Sequence, residues 1–397
     1  MQFLVQRWFK RLILGAIAGV LVGLLAACAS GPKPAQSTQS TPGLPAASAE
    51  IGATTSLPED TAPLPQSRTQ AKSRWVPVRW AELPGFTEDS LFEAWNAWIK
   101  SCERPGPVYA PLCTQVRQLS IATSDEQRRW MVERLQPYRI EPVSGAAADG
   151  LLTSYYEPVL EASRIQRPGF TVPLYRTPTT WRSGRPWFSR QEIDTQSEAR
   201  AALAGREIAW LADPVDALVL HIQGSGRLRV READDSQHLV RVAFGGTNEQ
   251  PYKSVGRWLL DQGLLRDGSW PAIKGWIAQN PQRVQEMLWS NPRYVFFKEE
   301  PVPEADTTLG PRGAQGVPLT PGRSIAVDPG SIPYGTPVWL VSPGPTAKLQ
   351  KLVFAQDTGS AIVGAVRADY YAGSGVDAGE LAGRLKQTLR LWAIWPK

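Results

Sequence analysis

A mainly β chain with short helices, folded as two domains, is what this sequence predicts, and three observations carry that reading. Segments with alternating or β-branched apolar residues outnumber segments with helical periodicity. The 35 prolines and 34 glycines are spread through the pattern and cut it into short elements, as in a barrel-like β core with helical excursions. About 320 residues remain after the N-terminal leader and linker, a length that suits two domains. No internal repeat is visible.

The leader comes first. Arg7, Lys10 and Arg11 precede an apolar run from Leu12 to Leu25, and Leu25-Ala26-Ala27-Cys28 is small-residue cleavage context ending in cysteine. This resembles a bacterial lipoprotein signal: residues 1–27 are removed and Cys28 becomes a lipid-modified N-terminus that holds the chain to a membrane. An ordinary cleaved signal with an incidental cysteine is the plainer alternative. By the sorting rule of enteric bacteria, Ala29 in place of Asp favours the periplasmic side of the outer membrane. Ala29 to Ser73 is rich in Pro, Ser, Ala, Thr and Gln and has no aromatic residue, so residues 28–74 read as a lipidated cysteine and a disordered tether. A flexible chain of about 45 residues reaches roughly 35–40 Å.

Beyond the tether, helices are predicted at Asp89–Lys100, Asp125–Leu135, Glu192–Leu203, Tyr252–Gln262, Gln282–Trp289 and Ala378–Arg390, with Asn280-Pro281 as a helix start. Leu91, Phe92, Trp95, Trp98 and Ile99 fall on one helical face, which assigns those two tryptophans to packing. Strands are predicted around Leu151–Leu160, Val172–Tyr175, Ala217–Gln223, Leu228–Arg231, Leu239–Phe244, Arg293–Phe297, Pro337–Val341 and Leu352–Ala355. His221 alternates within DALVLHIQ and reads as a strand residue.

Composition removes several chemistries. The formal net charge of +6 includes three leader cations, which leaves +3, and no Lys/Arg run with interleaved aromatics occurs, so nucleic acid is a poor partner. His221 and His238 are the only histidines, and neither has a cysteine or histidine at ligand spacing, so no metal site is expected. GSGRLR from Gly224 lacks the third glycine of a dinucleotide fingerprint, and Ser225 is not in a nucleophile elbow, so no cofactor is expected. Cys102 and Cys113 remain as a pair in an oxidising compartment, a disulfide candidate, with two free thiols the alternative. Sixteen tryptophans exceed ordinary usage, and aromatic planes of this kind pack on the apolar faces of sugars.

The stretch DTGSAIVGAVRADYYAGSG, Asp357 to Gly375, sets two carboxylates among glycines and small residues. Asp357 and Asp369 are candidate acids or bases there, with turn capping the plainer reading. Asp357-Thr358-Gly359-Ser360 also spells an aspartic-protease signature, but a single-chain protease of this length needs two and only one is present.

Taken in order, GLLTSYYEPVLEASR from Gly150, HIQGSGRLRV from His221, NPRYVFF from Asn291, GAQGVPLTPGRSIAVDPGSIPYGTPVWL from Gly313 and the Asp357–Gly375 stretch resemble the motifs of the membrane-bound lytic transglycosylase A family. The C-terminal part resembles the three-aspartate module, with Asp328, Asp357 and Asp369 as its acids. Ser154 and Ser360 depart from glycines usual in the family. The resemblance implies a double-ψ β-barrel from residues 75–164 plus 291–397, an inserted second β domain at 165–290, and a groove between them for a peptidoglycan glycan strand. It implies cleavage of the β-1,4 bond between N-acetylmuramic acid and N-acetylglucosamine, with Asp369 as acid and then base, and 1,6-anhydromuramoyl ends. Asp357 then tunes or orients Asp369, raising its pKa. Thr153, Tyr155, Tyr156 and Glu157 match one groove wall, Gln223 and Ser225 a second, and Asp328 is a further substrate-site candidate, although Asp328-Pro329-Gly330 reads first as a turn. A non-catalytic wall-binding lipoprotein is the rival reading, and cell-wall synthesis or division proteins are undetermined partners.

Overall fold

A computed structural model describes residues 61–145, 149–302 and 309–397. The leader and Cys28 lie outside the described residues.

The chain enters through two short strands, β1 (Arg68–Thr69) and β2 (Ser73–Pro77), then three helices, α1 (Phe92–Ser101), α2 (Cys113–Gln118) and α3 (Ser124–Arg134). Thr123 caps α3, its hydroxyl accepting from the Glu126 N–H while the Glu126 carboxylate reaches back to the Thr123 N–H. Cys102 and Cys113 are disulfide-bonded, with sulfurs 2.02 Å apart. Strands β3 (Leu135–Pro142) and β4 (Gly150–Glu157) follow. A second body comprises β5 (Val159–Ser163), β6 (Val172–Tyr175), α4 (Arg190–Thr195), α5 (Ser197–Leu203), β7 (Glu207–Leu211), α6 (Pro214–Gln223), β8 (Gly226–Arg231), β9 (Gln237–Thr247), α7 (Val255–Asp261), α8 (Trp270–Gln279), α9 (Val284–Trp289) and β10 (Val295–Pro301). The chain returns through β11 (Ser324–Val327), β12 (Pro337–Pro343), β13 (Lys348–Asp357), β14 (Arg367–Ser374), α10 (Val376–Arg384) and β15 (Lys386–Pro396).

Six strands close on themselves in the order β15-β12-β13-β11-β14-β4 and back to β15, with β3, β2 and β1 added beyond β15. The pairs β11–β13 and β14–β4 are parallel and the other barrel pairs antiparallel. The fold is thus mainly β with short helices: a double-ψ barrel carrying a second β body, whose sheet runs β10-β9-β8-β5-β7-β6.

Barrel strands bury different residues on their two faces, and this decides where a site can form. Leu152, Ile325, Val327, Val338, Leu340, Val353, Ala355, Ala368, Tyr370, Leu391 and Ala393 fill the interior. The alternate residues Trp339, Val341, Leu352, Phe354, Trp392 and Ile394 face out and are covered by Trp80, in the turn before α1, and by α1–α3 through Trp95, Trp98, Val116 and Met131. Trp95 and Trp98 are core, as their spacing predicts, and most of the tryptophan surplus here serves packing. The outer face of β14 and β4 carries Arg367, Asp369, Thr153 and Tyr155 instead, and the helical layer does not cover it. Gly150 opens β4 where a Cβ would stand 1.7 Å from the Val366 carbonyl oxygen, so only glycine fits.

Several expectations are corrected. Ala217–Gln223 is helix, not strand: Asp213 caps the N-terminus, Pro214 opens α6, and Gly224 ends it at φ +79. Residues 217–221 are all buried, including His221, so alternation could not separate helix from strand. The helix predicted over Ala378–Arg390 ends at Arg384, and Lys386 begins β15. Leu151–Leu160 is split between β4 in the barrel and β5 in the second sheet. That sheet begins at Val159 and ends at Pro301, wider than the 165–290 insert, because β5 and β10 pair with β8 and β9. The segment 28–74 does not run as tether to its end: Lys72 N–H donates to the Gly330 carbonyl, Lys72 Nζ pairs with Asp328, and buried Ser73 Oγ donates to the Ser331 carbonyl.

Candidate active site

Register places one row of residues across the outer face of the barrel. Ala326 of β11 pairs with Asp357 of β13 on one side and with Asp369 of β14 on the other. Asp369 pairs with Thr153 of β4, which pairs with Lys386 of β15. Asp357 and Asp369 are therefore two strands apart, about 10 Å between Cα atoms, with Ala326 on the strand between them.

Asp369 accepts a hydrogen bond at Oδ1 from the Thr153 hydroxyl, and the Arg367 guanidinium donates to Thr153 Oγ1 at 2.8 Å. Burial pushes the Asp369 carboxyl above the ordinary Asp value, against the Thr153 bond and the positive charge of Arg367. Asp357 accepts from Tyr155 Oη at 2.9 Å and from the Ala314 N–H at 2.9 Å. Burial pushes its carboxyl up to about 6; donors from Thr358, Ala314 and Tyr155 oppose the rise, and the charge of Asp369 adds to it. Asp357 is expected to raise Asp369; the charge effect appears instead on Asp357, and the causes of the Asp369 shift are burial, Thr153 and Arg367.

The other candidates divide. Tyr155 holds Asp357 and packs at 5.3 Å, tilted by 47°, against Tyr371, so it serves the acid directly. Tyr156 N–H donates to Gln223 Oε1 at 3.0 Å, which ties β4 to the end of α6, and the two side chains line one cavity. Ser225 sits half-buried in the turn from α6 to β8.

Glu157 is corrected: it is fully buried, paired with Arg227 at 2.8 Å and Arg241 at 2.6 Å, and accepts from Ser374 Oγ. It clamps the end of β4 to β8 and β9 and presents nothing to a groove. Asp328 follows its turn reading. Its carboxylate accepts from the Gly330 and Gly364 N–H groups and from Lys72. Burial acts to raise its pKa, but the donors from Gly364, Lys72 and Gly330 bring it below the ordinary value. Asp328 is therefore a staple for the loop between Asp357 and Asp369, in which Gly364 takes φ +120.

Beside this row opens a cavity of about 640 Å³, walled by β4, β15 and α10 of the barrel and by α6, α7 and α8 of the second body. Tyr156, Gln223, Tyr252, Arg257, Trp270 and Lys386 line it. Burial raises the Tyr252 phenol, and the charge of Asp369 adds to the rise, so the cavity lies within electrostatic reach of that acid. Among the described residues no three His, Cys, Asp or Glu side chains converge as a metal site. The sequence reading missed Arg367, Tyr252 and Lys386. Arg367 was open to discovery, since Arg367, Asp369 and Tyr371 alternate with Ala368 and Tyr370 as strand residues do. A carboxyl whose proton affinity is raised by burial, beside a donor hydroxyl and next to a cavity, suits donation of a proton to a bound leaving group.

The profile of the MltA specific insert domain matches residues 151–298, and that of the 3D domain matches residues 323–395. The solved lytic transglycosylase LtgG of Burkholderia pseudomallei is 42% identical, with 84% of this chain and 97% of that one covered and a TM-score of 0.57. The chain belongs to the membrane-bound lytic murein transglycosylase A family. The crystal structure of MltA from Neisseria gonorrhoeae superposes with a TM-score of 0.69 at 28% identity, covering 86% of this chain and 96% of that one. Membrane-bound lytic murein transglycosylase A of Vibrio cholerae is 29% identical over 304 residues, 72% of this chain and 76% of its own length. The insert profile of this family spans β4 and nearly all of the second sheet, so the candidate acids on β13 and β14 fall in the 3D part while Thr153 and Tyr155 fall in the insert part.

Proposed function

We propose that this protein is a peptidoglycan lytic transglycosylase in which Asp369 acts as acid and then base. The observation that carries the reading is Asp369 itself: a carboxyl with proton affinity raised by burial, in register with Thr153, whose other strand partner Lys386 lines the neighbouring cavity. Asp369 protonates the glycosidic oxygen between N-acetylmuramic acid and N-acetylglucosamine. As carboxylate, it then takes the proton of the muramoyl C6 hydroxyl while that oxygen closes on C1. The nucleophile belongs to the substrate, so one carboxylate suffices where most glycosidases use two. A well-oriented intramolecular hydroxyl also avoids an entropic cost of roughly 7 kcal/mol or more. Asp357 modulates Asp369 by charge, and Tyr155 and the Ala314 N–H hold Asp357 in place.

Tyr156, Gln223 and Trp270 wall the cleft for glycan. The insert is best drawn with the second sheet, 159–301. The chain is held by lipid on Cys28 at the periplasmic side of the outer membrane; among the described residues no helix is long and apolar enough to cross a membrane. Digestion of purified sacculi in heavy-oxygen water tests the chemistry. Unlabelled 1,6-anhydromuramoyl ends are expected, whereas labelled reducing ends would identify a hydrolase.

A further inference from the structure

Arg367 has a place in the site that its neighbours define. Its Nη1 is tied to the Ala368 and Leu151 carbonyls, which fixes the guanidinium plane on the outer face of the barrel. Its Nη2 donates to Thr153 Oγ1 at 2.8 Å. Arginine has donors only, and a threonine hydroxyl has one hydrogen and two lone pairs. With a lone pair occupied by Arg367, the Thr153 hydrogen is directed onward to Asp369 Oδ1. That oxygen is then an acceptor, and the acid proton is left to Oδ2.

We propose that Arg367 is a positioning residue which, through Thr153, selects the oxygen of Asp369 that carries the proton. The proposal rests on the reading of Asp369 as the acid. The relay presents Oδ2–H to the leaving group in a single orientation. It also favours the carboxylate left behind, because the Thr153 bond and the Arg367 charge both act on the ionised form. A group that works first as acid and then as base needs both properties. The charged and titratable groups facing Asp369 are Arg367 on its own strand, Tyr155 on β4, Asp357 on β13, Lys386 across Thr153 on β15, and Tyr252 from the second body. Among these only Arg367 touches the hydroxyl that touches the acid.

The test is a pH–rate profile of the full-length chain on glycan strands. Arg367→Met keeps the apolar stem and removes donors and charge; Thr153→Val keeps shape and removes the hydroxyl. Each is expected to lower turnover about tenfold, a fraction of what general acid catalysis supplies. Each should also move the alkaline limb to higher pH, because Asp369 must be protonated to act and both changes weaken its ionised form. The double variant should lose clearly less than the product of the two single losses, since only the direct effect of the Arg367 charge remains once the hydroxyl is gone, and Arg367→Lys should recover most of the wild-type profile. An alkaline limb unmoved in Arg367→Met, or independent losses in the double variant, overturns the relay. Should Arg367→Met not fold, Thr153→Ser against Thr153→Val decides, since only the hydroxyl-bearing variant should keep the wild-type limb. Asp369→Asn run alongside separates the two levels. If it is inactive while the Arg367→Met limb is unmoved, the relay alone falls; if it retains turnover, the acid assignment falls and the relay with it.

Discussion

Replacing Asp357 by Asn isolates the energetic consequence of placing an acid where the fold disfavours its charge. The carboxyl of Asp357 is raised from 3.8 to about 6. Below the unfolded value both states hold the proton. As pH rises from there, the unfolded chain releases it first and folding loses stability, until the folded carboxyl also ionises near 6. The full span is worth about 3 kcal/mol at 1.36 kcal/mol per unit. Asp357 keeps some surface, so we expect about 1–3 kcal/mol. Asparagine fits with little loss, since its carbonyl oxygen accepts from the Ala314 N–H and its amide donates to Tyr155 Oη. Urea unfolding of both proteins at pH 4 and pH 8 measures the effect. Relative to wild type, Asp357→Asn should gain about 1–3 kcal/mol in going from pH 4 to pH 8. A stability difference that does not change with pH would refute the burial argument. In turnover, the same variant should have a lower pH optimum, because repulsion between the two acids is reciprocal and losing it lets Asp369 ionise more readily.

Three other outcomes are expected. Glu157→Gln leaves Arg227 and Arg241 facing a neutral amide in a buried site and should lower stability by about 3 kcal/mol or more, read by urea unfolding. Asp369→Asn should abolish release of anhydro-ended muropeptides while leaving the unfolding midpoint close to wild type, since side-chain volume is kept. Cys28→Ala should move the protein from the membrane to the soluble fraction with undiminished turnover on soluble glycan; persistent membrane association would show that the apolar leader is retained instead.

How much the sequence disclosed depended on how many faces of an element are buried. Strands such as Val172–Tyr175 and Leu239–Phe244 were legible from their pattern and flanking turns. Segments apolar on every side were not. In α6, buried residues surround the helix axis, so the caps at Asp213 and Gly224 carried the information that periodicity lacked. In β15, Leu389, Leu391 and Ala393 fill the barrel while Trp392 and Ile394 pack under the helices, which hides the two-residue period. At the site, Asp357 and Asp369 stood out by their glycine-rich setting, whereas the partners of Glu157 and Asp328 could not be read, because a carboxylate's partners are set by the fold. Glu157 meets arginines 70 and 84 residues away, and Asp328 meets Lys72 across 256 residues. Arg367 escaped for the same reason: it reaches Thr153 across 214 residues, through a parallel pairing that no local pattern announces.

On the proposed reading, the same pairing suits a closed barrel to a reaction that uses one carboxylate at a time. A carboxylate pair working as nucleophile and acid needs its two groups about 5 Å apart. Here Ala326 separates the acids by a whole strand, and each has its own donors: Tyr155 and Ala314 for Asp357, Thr153 for Asp369. Separate donor sets let the two environments differ, so Asp357 can sit near 6 while Asp369 is held by a hydroxyl and a neighbouring cation. Strand register fixes both positions without any loop having to order, and the loop that joins them is stapled by Asp328 through Gly364. The far wall of the cavity is built from the helices of the second body. On the proposed reading, the barrel face supplies the chemistry and α6, α7 and α8 determine which glycan is held against it.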